Sequence, residues 1–332
     1  MSDISAYLDK TCAVILNWNA YLETIECIEN VVGAYSGLSI IVIDNFSSDN
    51  SLHEIKEHLS LLAVNSGALF FCVDENDFGR AVNEINAVNS CCFILVKAHE
   101  NYGFAGGNNR GLSVGMKIKK FDYFWMLNND ARINHNSLPE LLKVFCGSNS
   151  VGFVGSVLCD YYHHDVIQCF GGGNIYKWIG KRKLYLKGEK VSYLSTVAAA
   201  TPDYLMGASL LVKKRVLETV GLMDEFYFMY AEELDWQLRA KKNGWHISVA
   251  PGSIVYHKGA VSTKGRSYLY HYYLNRSSII FTRRFYSYSV LVSVLMFLPL
   301  VNTFKLIKEP KNLAYAMKGI VDGLFFKYPS LF

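Results

Sequence analysis

Residues 38–51, LSIIVIDNFSSDNS, carry an apolar run into a polar segment that begins at Asp44. A run this rich in Ile and Val suits a strand buried on both faces, and the polar turn at Asp49 suits the cap of a following helix. Residues 12–16, CAVIL, have the same character and end in Asn17-Trp18-Asn19, with a helical stretch at 21–32 between the two runs. Strand, helix, strand, helix describes a mostly parallel sheet covered on both faces. Such sheets take ligands at the carboxyl ends of their strands, where Asn17, Asn19 and Asp44 stand.

Outward from this pair the pattern continues. Residues 64–98 hold FFCV, an Asp/Asn-rich turn, a helical stretch at 80–89 and CCFILV, which suits either a further strand-helix-strand or an insertion. A strand at 121–127 stops at Asn128-Asn129-Asp130, and a helix is expected at 137–145. Residues 151–162 and 171–185 read as strand and turn, 213–220 and 232–243 as helices, and 247–250 as a last strand.

The chain has 332 residues, of which 51% are hydrophobic and 19% charged, with only 6 Pro, so it is a folded protein rather than a disordered or collagen-like one. Its net charge of +4 divides unevenly: residues 258–332 hold 11 Lys+Arg against 2 Asp+Glu, and residues 1–257 hold 22 against 27. Eight cysteines form no CxxC pair and lie mostly in apolar stretches, as reduced thiols of a cytoplasmic protein do; neither zinc nor a disulfide framework is expected. The first residues, MSDISAYLDK, lack the basic start and long apolar run of a secretory leader.

Five constellations carry chemistry. Asp44 can accept hydrogen bonds from a nucleobase or ribose, or simply organise its turn; Asp49 suits a cap. Residues 101–111, NYGFAGGNNRG, form a glycine-rich turn opening a helix, where free N–H groups can meet a phosphate or a sugar, although the spacing is not GxGxxG. Asp130, after Asn128-Asn129, can bind a divalent cation completed by diphosphate oxygens and water. Residues 221–245 put Glu232, Glu233 and Asp235 at a helix start with Arg239 a turn beyond. This is either a charged first turn or, following the apolar FYFMY, a desolvated carboxylate basic enough to take a proton. His257 closes an apolar stretch and is a candidate ligand for a divalent ion.

Together the ordered motifs VILNWN, VIDNFSSDNS, ENYGFAGGNN, LNND and GLMDEFYFMYAEELDWQLR, with a histidine 24 residues after Glu233, resemble the inverting family 2 glycosyltransferases of GT-A type. The resemblance runs from about residue 12 to 327 and is strongest to the rhamnosyl- and galactofuranosyltransferase branch of bacterial surface polysaccharide synthesis. It implies an α/β fold, a Rossmann-like mostly parallel sheet flanked by helices, with a catalytic domain over residues 1–265. The nucleotide-sugar half would be about 11–132 and the acceptor half about 133–265. By the same resemblance Asp44 binds the nucleoside, and Asn17, Asn19, Asn101, Gly103, Phe104, Gly106, Asn108, Asn109, Asn128 and Asn129 line the donor site. Asp130 and His257 would hold Mg²⁺ or Mn²⁺, Asn128 standing where relatives often have Asp. Glu233 takes the place of the catalytic base, with Glu232, Asp235, Trp236 and Arg239 as neighbours. The donor implied is a dTDP- or UDP-sugar, rhamnose or similar, and the acceptor a polyprenyl-diphosphate-linked glycan. The rivals are a nucleotidyltransferase and a degenerate sugar-nucleotide-binding subunit.

Residues 266–332 are expected to form a basic, aromatic helical appendage. Residues 285–304 carry no charge but include Pro299, Asn302 and four Ser or Thr, which suits an interfacial helix better than a spanning one. The stripe Leu313, Met317, Ile320, Val321, Leu324 and Phe325, opposite Lys311, Lys318 and Asp322, suits an anionic membrane surface. The alternative is packing on the catalytic domain or in a homodimer. The expected location is therefore the inner face of the cell membrane, peripherally bound, and nucleic acid is not an expected partner.

Overall fold

The computed structural model describes residues 4–88, 90–196, 201–259 and 267–328. The expected boundary at 265/266 lies outside the described residues. The first half runs α1 (Ile4–Leu8), β1 (Thr11–Asn17), α2 (Tyr21–Ala34), β2 (Ser39–Asp44), α3 (Ser51–Ser66), β3 (Leu69–Asp74), α4 (Gly79–Val88), β4 (Cys92–Lys97), α5 (Gly103–Lys117) and β5 (Tyr123–Asn128). These five strands are parallel in the order β3-β4-β2-β1-β5. Residues 64–98 are thus a further strand-helix-strand at the sheet edge. The order reverses at β1, and a cleft is expected outside the carboxyl ends at such a switch point.

The second half extends the sheet with β6 (Ala131–Ile133), α6 (Ser137–Gly147), β7 (Val151–Asp160), β8 (Ile167–Phe170), β9 (Gly172–Tyr176), β10 (Lys181–Leu184), β11 (Tyr204–Leu205), β12 (Ser209–Lys213), α7 (Lys214–Val220), α8 (Glu232–Lys242) and β13 (His246–His257). β12 runs antiparallel between β5 and β7, and β13 is parallel to β7 and antiparallel to β6. The last strand is longer than its apolar core at 247–250 because a bulge at Ala250/Ile254 lets it continue past Pro251-Gly252. β9, β10 and β11 form a separate three-stranded sheet.

Alternate strand residues feed two cores. Ala13 and Ile15 pack beneath α2, α3 and α6 on one face, while Cys12 and Val14 pack beneath α4, α5, α7 and α8 on the other. The chain ends in α9 (Ser267–Phe285), α10 (Tyr288–Leu306) and α11 (Pro310–Leu324). All eight cysteines are free, and two of them, Cys72 and Cys146, are exposed.

The glycines of α5 set how closely it lies on the sheet. Gly103, Gly107, Gly111 and Gly115 recur every four residues on one face, and a Cβ at Gly111 would meet Ile43 Cδ1 at 2.5 Å and Val14 Cγ1 at 2.9 Å. The expected glycine-rich ligand loop is therefore largely helix, with only Asn101 and Tyr102 preceding it. Gly111→Ala, despite a helix-propensity gain of about 1 kcal/mol, is expected to destabilise the fold through overpacking of about 1–3 kcal/mol. Gly33→Ala in α2, where nothing lies within 4 Å of the added Cβ, is expected to stabilise it. Urea unfolding of the two variants checks the opposite signs.

Candidate active site

The ends of β1, β2 and β5 lie in register, Asn17 opposite Asp44 and Leu16 opposite Asn128. Asn17 Nδ2 donates to Asp44 Oδ1 (2.9 Å) and Ser47 Oγ (3.1 Å), and Thr24 Oγ1 donates to Asn17 Oδ1 (2.7 Å). Asn19, at φ 51°, accepts at Oδ1 from the Ser48 N–H (2.7 Å). These residues shape the turn after β2, and Asp44 is buried at its base. The side chain that crosses to the next strand's end is Asn45. Its Nδ2 donates to Asn101 Oδ1 (3.0 Å) and to the Gly103 carbonyl (3.1 Å), and its Oδ1 accepts from the Tyr102 N–H (3.1 Å).

A cleft of about 540 Å³ opens above these ends. Leu16, Trp18, Asn45, Asn101, Gly103 and Phe104 line one side, and Asn128, Asn129 and Asp130 its floor. That volume suits a small-molecule ligand rather than a macromolecule. Gly106, Asn108 and Asn109 do not line the cleft. Gly106 packs on Tyr102 and Glu225, Asn108 Nδ2 donates to the Phe104 carbonyl (2.9 Å), and Asn109 Nδ2 donates to the Met223 carbonyl (2.8 Å).

Strand register also brings Asp130 to His257. Ala131 pairs with His257 where β6 meets β13, and His257 Nε2 lies 3.2 Å from Asp130 Oδ1. Both residues are buried and both line the cleft. Gln168 of β8 fixes the ring, its Oε1 3.0 Å from His257 Nδ1 and its Nε2 donating to the His257 carbonyl (2.6 Å). With Nδ1 held by Gln168, Nε2 is turned toward the carboxylate and the cleft, the second-residue support that ligating histidines use. Asn128 Nδ2 is 3.1 Å from the same Nε2. One carboxylate and one imidazole can hold a divalent cation whose other positions come from diphosphate oxygens and water. No group of three or more His, Cys, Asp or Glu is arranged for a metal among the described residues, so the cation would need its substrate.

The start of α8 also lines the cleft. Phe228, Tyr230 and Ala231 all have positive φ (65°, 64° and 75°), and this strained turn presents Glu232 and Glu233 to the cleft. Burial pushes the pKa of both carboxyls up, and the charge of Glu233 raises Glu232 further. Asp235, Trp236 and Arg239 point away from the cleft. Trp236 packs edge-on against Phe153, 4.9 Å between centroids, and its Nε1 donates to the Gly221 carbonyl (2.8 Å). Arg239 donates to Asp235 (2.7 Å) and to the Val220 and Leu222 carbonyls.

Residues 11–268 match the family model "Glycosyltransferase like family 2". The chain belongs to that family. It is 22% identical over 241 residues to the low-salt glycan biosynthesis hexosyltransferase Agl10 of Haloferax volcanii, a match spanning 72% of this chain and 64% of that protein. It is 42% identical over only 60 residues, 18% of this chain and 20% of the other, to a Mycobacterium tuberculosis N-acetylglucosaminyl-diphospho-decaprenol L-rhamnosyltransferase. The chain thus spans less than two thirds of the length of these curated relatives. Among solved structures it is similar to the mannosyltransferase PcManGT of Pyrobaculum calidifontis in complex with GDP-Man and Mn²⁺, at TM-score 0.56 and 13% identity over 96% of this chain and 88% of that one. The likeness is one of fold.

In this family 2 chain the third wall comes from beyond the expected catalytic domain: Leu269, Tyr270 and Tyr273 of α9 line the cleft. Gln168, Asn45 and these α9 side chains were not singled out in the sequence. The α9 residues fall in the tail read as aromatic, while Gln168 acts through strand pairing that a linear reading does not contain. Gln168→Leu is expected to weaken Mn²⁺ binding in the presence of UDP by about 10–100-fold. Titration calorimetry checks it, and unchanged affinity would remove Gln168 from the site.

Proposed function

We propose that the protein is an inverting glycosyltransferase. It moves a hexose, rhamnose or similar, from a nucleoside diphosphate of dTDP or UDP type to a hydroxyl of a polyprenyl-diphosphate-linked glycan. One observation carries the reading: a single cleft at the strand ends is lined by both the Asp130–His257 pair and the Glu232–Glu233 pair. A displacement at the anomeric carbon needs both functions in one cleft, a holder for the leaving diphosphate and a base for the attacking hydroxyl. The named relatives are in keeping with hexosyl and rhamnosyl transfer and with a lipid-diphosphate acceptor.

Glu233 would take the proton from the acceptor hydroxyl as that oxygen attacks the anomeric carbon, and the carbon–oxygen bond to the diphosphate breaks with its electrons on the nucleotide. Attack opposite the leaving group inverts the anomeric centre. Asp130 and His257 Nε2 would hold Mg²⁺ or Mn²⁺, which supplies neutralising charge for the departing diphosphate. A triphosphate-handling nucleotidyltransferase is disfavoured because Arg110, the basic residue of the 101–111 segment, is committed to Glu75 (3.2 Å) and Glu225 (2.5 Å) and stacks on Tyr102. Glu233→Gln is expected to lower kcat by about 10²–10⁴-fold. Nucleotide affinity should stay near that of the parent. Equal turnover of variant and parent in a sugar-transfer assay would overturn the assignment of the base.

We also propose that the chain rests peripherally on the cytoplasmic face of the membrane, with a different face toward lipid than the sequence suggested. The α11 stripe is divided: Ile320 is buried and Met317 and Leu324 pack against α9 and α10, with Gly319 and Gly323 letting α11 lie close on α9, while Val321 and Phe325 are exposed. The exposed apolar stripe is on α10, the one helix long and apolar enough to cross a membrane among the described residues. Tyr288, Val292, Met296, Leu300 and Phe304 recur every four residues along its outer side, with exposed Lys305 in its last turn and Lys308 and Lys311 following it in the chain. Val290, Val294, Leu298 and Asn302 face inward, which suits a helix lying on lipid with protein beneath it. The parent is expected to float with vesicles containing anionic phospholipid, and a Met296→Ser, Leu300→Ser, Phe304→Ser variant to remain in the soluble fraction. A parent that does not float would end this reading.

A further inference from the structure

Glu232 and Glu233 present a problem of charge that the displacement alone does not resolve. Glu232 is 3% exposed, and the Oε2 atoms of both residues are buried without a hydrogen-bond partner although both side chains line the cleft. The groups that act on them are Arg182 of β10, Tyr204 of β11 and Tyr230 of the turn before α8, and Tyr270 of α9 lines the same cleft beside the two tyrosines. Burial pushes the Tyr204 hydroxyl up to about 12 and the Tyr230 hydroxyl up as well, so these phenols stay neutral in the working range. The charge of the cluster is therefore set by two carboxyls and one guanidinium. Arg182 favours the ionised form of both carboxyls, and its own Nη2 is buried and unpartnered. The Gly207 N–H and its own N–H favour the ionised form of Glu233. Glu232 has the deeper burial and feels the Glu233 charge against it.

Two carboxylates and one guanidinium in a low-dielectric wall are neutral overall only when one proton stays on the pair. We propose that Glu232 and Glu233 work as one unit holding a single proton: Glu233 ionised to receive the acceptor's proton, Glu232 a neutral carboxylic acid donating a hydrogen bond into the cleft. In this arrangement Arg182 is a positioning residue that supports one negative charge on the pair. Glu232 Oε2–H serves a hydroxyl or ring oxygen of a bound sugar, as neutral acids held in apolar sites do elsewhere. This rests on the glycosyltransferase reading for its substrate but not for the proton itself.

Two measurements test it. The first needs no turnover. A carboxyl whose pKa is raised by folding contributes stability that is fully present below its unfolded value and is lost as pH rises through the folded value. Glu232→Gln removes that loss, so the thermal midpoint of the variant relative to the parent should climb steadily from about pH 5 to pH 8. A flat difference across that range would overturn the shared proton. The second is kinetic. Glu232→Gln, which keeps a neutral donor, should retain kcat to within about tenfold at pH 7, whereas Glu232→Ala should lose about 10²-fold or more. Arg182→Met should move the acid limb of the kcat profile up by about one pH unit. Loss in Glu232→Gln as deep as in Glu233→Gln would overturn the neutral-acid role, and an unmoved acid limb would overturn the role of Arg182. A parent that transfers no sugar from any nucleoside-diphosphate donor would overturn the transferase reading, leaving the stability measurement to decide the proton.

Discussion

Asp235 has no solvent-exposed side-chain surface, yet it accepts three hydrogen bonds: from Tyr227 Oη (2.8 Å), Arg239 Nε (2.7 Å) and Arg284 Nη1 (2.9 Å). Arg284 also reaches Asp224 (2.5 Å). One buried carboxylate thereby joins the 224–227 turn, α8 and the far end of α9. Breaking a buried pair by deleting one partner costs about 3–5 kcal/mol. Set against a typical net stability of about 5–15 kcal/mol, the position of α8 hangs largely on this knot. The first turn of α8 carries Glu232 and Glu233, so the geometry of the cleft wall depends on it too. Residues expected as neighbours of the base thus act one step behind it, by holding its helix.

The same region stores strain on the cleft side. Gly103 has φ +67°, and a Cβ there would lie 2.2 Å from the Phe228 carbonyl oxygen, which accepts a hydrogen bond from the Phe104 N–H (2.7 Å). The glycine at the start of α5 lets the strained 228–231 turn dock against it, and Asn45 ties that glycine's carbonyl to the end of β2. Three left-handed residues without glycine among them persist only where neighbours over-determine them. Here those neighbours are a glycine contact on one side and the Asp235 knot on the other. The start of α5 and the start of α8 are consequently one mechanical unit, and a change at either is felt at both.

What the sequence made legible follows from how local the cause is. Buried parallel strands are nearly continuous apolar runs, so β1, β2 and β5 and the polar residues at their ends were readable. The role of the glycines in 101–111 was not. Glycine in a ligand loop and glycine beneath a close helix look alike in a linear pattern, and only the sheet at 2.5 Å from a would-be Cβ tells them apart. Gln168 and Arg182 were invisible for a related reason. Each reaches the site from a different strand, through pairings of β7 with β8 and of β9 with β10 and β11 that no local signal announces. The His257–Asp130 contact was expected from a resemblance, and register accounts for it physically.

The basic tail shows most clearly that composition counts charges without saying where they point. Arg276 donates to the Phe226 carbonyl, Arg283 to those of Gly323 and Phe326, and Arg284 to Asp224 and Asp235, so these three tie the C-terminal helices inward. Lys258 is paired with Glu26. Lys305, Lys308, Lys311, Lys318 and Lys327 remain on the surface. A lysine near an anionic bilayer contributes about 1 kcal/mol, and that share fades as salt screens it. Each large apolar side chain taken out of water contributes about 1.5–3 kcal/mol, which salt does not screen. The α10 stripe, rather than the lysines, therefore sets the floor of any membrane affinity. α9 stands apart from both, because its arginines and its cleft-lining tyrosines make it part of the catalytic body despite following the last strand of the sheet.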